Sequence, residues 1–388
     1  MKVAYLTNSG ERTGVGFRAA NIRQLLVSDG IGLDEFYVDG DRGELRVNGE
    51  VRQIIKKWPG VWGSKTVNWV RLGLKTKKEL VSGGYDIVHA TNQTLSFIID
   101  GSLPAVVTVH DIIEVLEPQS GWGGLAAKYL YSGIKRADHI IAVSEYTKKT
   151  IMDYYGVAAG KITVVYNGVG EDFYPLESFR QSIAYQQWLS QLKISAETRV
   201  ILYVGSDHSR KNVIGAVRAF AGVKTALEDD GQRAVFVKVG KPGLAGGREQ
   251  LLNEIDELGI KGSVKLIADV DNEQLNELYN LADVLIYPSR FEGFGLPVLQ
   301  AFAAGTPVVT SNTTSLPEVT GDDAKYGKCA ALVYNPDDID RMAEGLKEIL
   351  TDNDRAEELR LAGLERAKKF TWEKAVQKVR RVYSELAG

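Results

Sequence analysis

One cysteine, Cys329, stands in 388 residues, so no disulfide can form within the chain and a reducing compartment is expected. Histidine is nearly as scarce. The four present show no metal-ligand spacing and no Asp-x-Asp occurs, so neither a catalytic metal nor a bound cofactor is expected. No apolar run reaches the roughly 18 residues that a spanning helix needs. The first residues read as a strand rather than as the apolar core of a signal segment, and a cytoplasmic protein is expected. Charge of one sign is also lacking: the net charge is −3 with 25% charged residues, a balance that points to no nucleic-acid partner. Thr13-Gly-Val-Gly16 is no dinucleotide fingerprint, because Ala19 stands where the third glycine would fall. No internal repeat or low-complexity tract is present.

What the chain does have is rhythm. Short apolar runs at residues 3–6, 87–90, 106–109, 139–143 and 162–166 resume at 200–204, 235–239, 264–267, 284–287, 308–310 and 331–333. Helix-like stretches separate many of them, with apolar residues three and four apart, as at Ala216, Ala219 and Phe220. Strand alternating with helix predicts parallel sheets covered on both faces. The length suggests two domains. The rhythm breaks in a polar, Gln-rich segment between residues 174 and 198, which sets the expected boundary: a first domain over 1–175 and a second over 176–371. Two doubly wound α/β domains facing a central cleft would hold a ligand between them.

The richest stretch is residues 287–309. An apolar strand runs into a loop holding Glu292, Gly293, Phe294 and Gly295, and a short helix follows from Leu296 until Gly305 and Pro307 stop it. The glycines let backbone approach a ligand at a helix start, the usual place for a site at the carboxyl end of a parallel strand. A second signal is Gly205 followed by Arg210 and Lys211 ahead of a helix. Arg210 can bind two oxygens of a diphosphate and Lys211 adds a point charge; a solvated surface pair is the alternative. The third is His110 at another strand end. Asp111 beside it either orients the imidazole or caps the next helix, and capping is the preferred reading. Ser144 reads as a helix cap and Asn167-Gly168 as a turn. His89 and His139 lie in apolar runs and read as core residues, and Lys241 as a solvated lysine.

The 287–309 stretch resembles the Glu-x7-Glu region of retaining, nucleotide-sugar-dependent glycosyltransferases of family 4, which have the GT-B fold. Glu292 matches the first acidic position; Gln300 stands at the second. The resemblance implies two Rossmann-like domains, with a terminal helix over 372–388 crossing back onto the first. It implies transfer of a hexosyl unit, such as mannosyl or glucosyl, from a UDP- or GDP-linked donor to an acceptor hydroxyl with retention, in glycan or glycolipid synthesis. Arg210 and Lys211 would hold the diphosphate and Glu292 with residues 293–296 the donor sugar. His110 would contact that sugar, Gln300 the ribose, and Gly14 and Gly16 would line the loop near the diphosphate and acceptor, although a plain turn explains these two glycines as well. Two alternatives stay open: a non-catalytic nucleotide-sugar-binding scaffold weakened at Gln300, and a nucleotide-sugar 2-epimerase.

Gln300 keeps a carbonyl acceptor and loses the charge. Charged hydrogen bonds contribute ~1.5–3 kcal/mol against ~0.5–1.5 for neutral ones, so the swap costs ~1 kcal/mol. Residues 51–80 carry eight cations against one acid, Glu79, and include Trp58, Trp62 and Trp69. Cations among tryptophans suit an anionic membrane surface at its inner face, with a lipid-linked or carbohydrate acceptor. A solvated helix with its tryptophans turned into the core is the other reading.

Overall fold

Runs of Val, Ile and Leu buried on both faces of a sheet need covering layers on each side, and the chain supplies them. The computed structural model describes residues 1–10, 13–39, 44–54, 64–117, 122–243, 246–321 and 329–388. It divides into two compact units, residues 1–168 with 372–388, and residues 169–371.

The first unit contains β1 (Lys2–Thr7), α1 (Gly14–Ser28), β2 (Gly32–Asp39), β3 (Glu44–Val47), β4 (Glu50–Ile54), α2 (Ser64–Ser82), β5 (Ile87–Ala90), β6 (Ala105–Val109), α3 (Ile113–Leu116), α4 (Trp122–Leu130), β7 (His139–Ala142), α5 (Glu145–Tyr155) and β8 (Ile162–Val164). Its sheet runs β4-β3-β2-β1-β5-β6-β7-β8. The wholly parallel sheet expected from the sequence is not what forms here: β3 and β4 run antiparallel to their neighbours. Of the added strands, β2 and β3 escape a search for apolar runs because their side chains are mostly part-exposed. A hairpin signal was nonetheless present. Asn48 and Gly49 both take positive φ (49° and 84°) between β3 and β4, as a two-residue turn with matching twist requires.

The second unit contains α6 (Ile183–Leu192), β9 (Arg199–Val204), α7 (Val213–Asp229), β10 (Ala234–Val239), α8 (Gly247–Glu257), β11 (Val264–Ile267), α9 (Asn272–Leu281), β12 (Val284–Tyr287), α10 (Leu296–Ala304), β13 (Val308–Ser311), α11 (Leu316–Thr320), β14 (Leu332–Tyr334), α12 (Ile339–Thr351) and α13 (Asn353–Ala367). Its parallel sheet runs β11-β10-β9-β12-β13-β14. Strand order therefore reverses between β9 and β12, and in such sheets the ligand crevice opens beyond the carboxyl ends at that reversal.

The division falls after Gly168 rather than at residue 175. The reason lies in α9. Asn276 Oδ1 accepts from Tyr174 N (3.1 Å), Asn280 Oδ1 from Leu176 N (2.8 Å), and Glu277 from Trp188 Nε1 (2.7 Å). The Gln-rich segment is α6, which buries Tyr185, Trp188 and Leu192 in the second unit. The last helix, α14 (Trp372–Ala387), belongs to the first unit. It packs on α1 through Trp372 and Phe17 (ring centroids 5.8 Å), pairs Arg380 with Asp29 (2.9 Å), and places Tyr383 on His89.

Candidate active site

The reversal point sets the site. After β9 the chain turns at Gly205, makes one 3₁₀ turn over Ser209–Lys211, and enters α7 through Asn212 in the left-handed region (φ 52°). After β12 it passes Ser289 and Glu292 and enters α10 through Gly295 at φ 107°. A side chain at 295 would also meet Leu316, so glycine is required there. The two loops are stitched together: Arg290 N and Ser289 Oγ both donate to Arg210 O (2.8 and 3.0 Å).

Inside this frame Lys211 Nζ donates to both oxygens of Glu292 (2.6 and 2.8 Å) and to Tyr287 Oη (2.8 Å). Tyr287 Oη in turn donates to Glu292 Oε1 (2.6 Å). Arg210 Nη1 donates to Phe291 O (3.0 Å) and stands 3.9 Å from Glu292. Glu292 is buried. Burial alone would raise its pKa, but the charges of Lys211 and Arg210 and the two hydrogen bonds outweigh it and hold the carboxyl below its usual value. Its backbone is fixed as well, since Glu292 N donates to Thr314 Oγ1 and Ser315 Oγ donates to Glu292 O (both 3.0 Å). Arg210, Lys211 and Glu292 together leave one excess positive charge beside the start of α10, a helix with no side-chain cap and whose dipole favours an anion.

Gly205 closes the floor. Its N–H donates to Val239 O (2.9 Å), and Gly240 (φ 130°) packs directly on its carbonyl. Beneath lies a group the sequence reading missed. Asp207 pairs with Lys238 and with Arg248 (both 2.5 Å), and Lys238 Nζ also donates to Gly240 O (2.6 Å). Lys238 is fully buried inside β10, where burial pushes its pKa down against the pull of Asp207. A lysine in the all-buried strand Ala234–Val239 was the available signal. Beside the same loop a cavity of about 320 Å³ opens, lined in part by His208, Ser209, Arg218 and Arg290.

Gln300 lies on α10 and its Oε1 accepts from the hydroxyl of buried Tyr279 (3.1 Å), so one lone pair of the expected ribose acceptor is already engaged. Leu296 opens the helix and Phe294 is buried against Phe370 (5.8 Å). Lys241 is exposed and pairs with Asp269.

His110, Gly14 and Gly16 belong to the first unit. His110 directly follows β6, and its Nε2 bonds Thr91 O (3.0 Å). Burial and the nearby charge of Arg18 lower its pKa to about 3, so the ring is neutral and Nε2–H is the donor. Asp111 accepts from Ile113 N (3.2 Å), a turn ahead of α3 rather than the helix cap expected, since the N-cap position is Ile112 and carries no side-chain cap. Gly14 is exposed, whereas Gly16 is buried with its N–H donating to Thr13 Oγ1 (3.0 Å); a side chain there would strike the backbone of Ser9 and Gly10. The close approach at Gly16 is therefore made by the chain itself. Arg18, which the sequence reading passed over, is buried and donates to Asn167 Oδ1 (2.6 Å). His89 is held by Tyr383 and Thr108, His139 by Thr163, and Ser144 caps α5. Among the described residues no cluster of His, Cys, Asp or Glu could hold a metal.

A phosphate-ready strand end at the reversal of one parallel sheet invites comparison with known proteins. Residues 185–366 match the model of the glycosyl transferases group 1, and residues 12–173 that of glycosyltransferase family 4. The chain belongs to the group 1 glycosyltransferases. It is 31% identical over 273 residues to O-antigen chain mannosyltransferase B of Escherichia coli, covering 69% of this chain and 67% of that one. It is 28% identical over 292 residues to the serotype-specific mannosyltransferase WbdA of Escherichia coli; that covers 73% of this chain, which spans about a third (34%) of WbdA. The structure of Anabaena HepE in complex with UDP and glucose matches 99% of both chains with a TM-score of 0.74 and 18% identity, a likeness of fold. This group 1 glycosyltransferase has the GT-B fold.

Proposed function

We propose that the protein transfers a hexosyl unit from a nucleotide diphosphate sugar to an acceptor hydroxyl of a carbohydrate or lipid-linked glycan, with retention of anomeric configuration. The observation that carries this reading is the Arg210–Lys211–Glu292–Tyr287 cluster at the strand reversal. Arg210 and Lys211 stabilise the charge that develops on the leaving diphosphate, aided by the start of α10. Glu292, held anionic, orients the donor sugar by accepting from its hydroxyls. Gln300 meets the ribose. In the first unit neutral His110, whose Nε2–H is already engaged, offers Nδ1 as an acceptor for a sugar hydroxyl. Glu292 is locked by Lys211 and Tyr287 and so is poorly placed to act as a covalent nucleophile. A front-face displacement follows, in which a leaving phosphate oxygen takes the acceptor proton as the new glycosidic bond forms. The mannosyltransferase names of the relatives favour mannose as the sugar and glycan synthesis as the setting, and the UDP complex of HepE favours trying UDP donors beside GDP donors.

A thermal-shift screen across UDP-, GDP- and ADP-sugars, followed by product analysis with the best donor, tests the reading. Stabilisation by one donor, and transfer lowered by about 10²-fold or more in Glu292→Ala and Arg210→Ala, is the expected result. Donor binding without hydrolysis or transfer over a broad acceptor panel would instead make the protein a nucleotide-sugar-binding scaffold, and conversion of the donor sugar without acceptor an epimerase.

A further inference from the structure

The basic segment reads differently once folded. Trp58, Trp62, Lys56 and Lys57 lie outside the described residues, and Trp69 packs against the core of the first unit. The tryptophan described there is thus no surface anchor. A different apolar set takes the surface. Val67, Leu74 and Val81 of α2 are 44%, 55% and 66% exposed. They stand seven residues apart, two helical turns each, and so form one outward stripe. Lys78 lies on that stripe and Lys75 on its flank, while Leu72, Thr76 and Leu80 face inward. The neighbouring α4 repeats the pattern, with Leu125 (62% exposed) and Tyr129 (47%) one turn apart and exposed Lys128 beside them. Phe97 joins the two helices: its ring fills the space over Gly73 of α2 and meets the ring of Tyr129 (5.8 Å).

We infer that this α2–α4 face docks on an anionic lipid bilayer. Large aliphatic side chains exposed in line are unfavourable in water and are spread too thinly among lysines to form a dry protein interface. Aliphatic tips that enter the acyl boundary while lysines meet headgroup phosphates satisfy both chemistries at once. The charge agrees: Lys75, Lys78 and Lys128 stand among the apolar residues, in a chain whose net charge is −3. No helix among the described residues is long and apolar enough to cross a membrane, so the contact is peripheral. The membrane face does not depend on the transfer reading.

Sedimentation with vesicles of equal parts phosphatidylglycerol and phosphatidylcholine, against phosphatidylcholine alone, tests it. Binding to the anionic vesicles only, released by molar salt, is expected. Leu74→Glu and Leu125→Glu should each weaken it at least tenfold. Lys75→Ala with Lys78→Ala should weaken it about 25-fold, from about fivefold (~1 kcal/mol) per lysine. A thermal unfolding midpoint that matches the unmodified protein shows each variant to be folded. No vesicle binding, equal binding to neutral vesicles, or variants that bind like the parent would overturn the proposal, as would self-association lost in Leu74→Glu without lipid binding. Vesicle binding without donor turnover sinks the transfer reading alone; turnover without vesicle binding sinks the membrane face alone.

Discussion

His89 and His110 in the first unit and Glu292 in the second are all buried, yet they carry opposite fortunes of charge. Burial raises the energy of the ionised form in each case. For the histidines the nearby Arg18 adds repulsion, and both fall to about 3 and stay neutral. For Glu292 the cations Lys211 and Arg210 reverse the effect of burial, and the carboxylate persists. The first unit thus keeps its imidazoles neutral, His110 among them just past a strand end, while the second holds fixed charge. A sugar hydroxyl suits the former and a diphosphate the latter.

The largest expected effect breaks the charged half. Lys238→Met removes a buried cation from Asp207 while leaving Arg248, and should destabilise the second unit by ~3–5 kcal/mol, the range for breaking a buried pair. Urea unfolding measures it. An unchanged midpoint would mean that Arg248 alone neutralises Asp207. Next, Glu292→Ala should lower kcat by about 10²–10³-fold, as expected for loss of one fixed electrostatic group. Steady-state kinetics with the best donor checks this, and a loss confined to KM would reduce Glu292 to a ground-state binder.

The neutral half is probed by pH. Each folded histidine pKa, about 3, lies below its unfolded value of about 6.5. The unfolded chain therefore binds protons first as pH falls, so this stability is complete above about 6.5 and is lost progressively toward 3. Two such groups should remove about 3–4 kcal/mol between pH 7 and pH 5. Glu292 acts in the same direction only at lower pH, since its depressed pKa preserves its contribution until the pH falls through the carboxylate range. Denaturation curves at the two pH values measure the loss, and His89→Asn should halve it. A flat profile would show the imidazoles to be solvated.

Legibility followed the same division. The loop from Tyr287 to Gly305 could be read from its residues because glycine, charge and helix stop are consecutive. What holds Glu292 could not: Thr314 and Ser315 arrive from the next strand end, and Tyr287 reads locally as one more apolar strand residue. Strands β2 and β3 were missed because part-exposed strands carry no apolar run, although Asn48-Gly49 marked the turn that follows. Trp69 was left between surface and core for a simpler reason. Composition places a cation beside an indole, but only the helical phase decides that Leu74 faces out while Leu72 and Trp69 face the core.

The smallest expected effect sharpens the boundary between charged and neutral recognition at a single position. Gln300 accepts from Tyr279 Oη, a donor that a carboxylate at 300 would keep. Gln300→Glu should therefore fold as before and restore a charged acceptor toward the ribose. The gain is ~1 kcal/mol from the difference between charged and neutral hydrogen bonds. Donor affinity should rise about fivefold on that figure, read by calorimetry with the nucleotide diphosphate and again with the full donor sugar. An equal gain with both ligands locates the effect at the ribose, because only that part is shared beyond the phosphates and base. A gain seen only with the full donor would place residue 300 beside the sugar instead, and a loss with both would mean that the added negative charge is felt by the diphosphate before the hydroxyls.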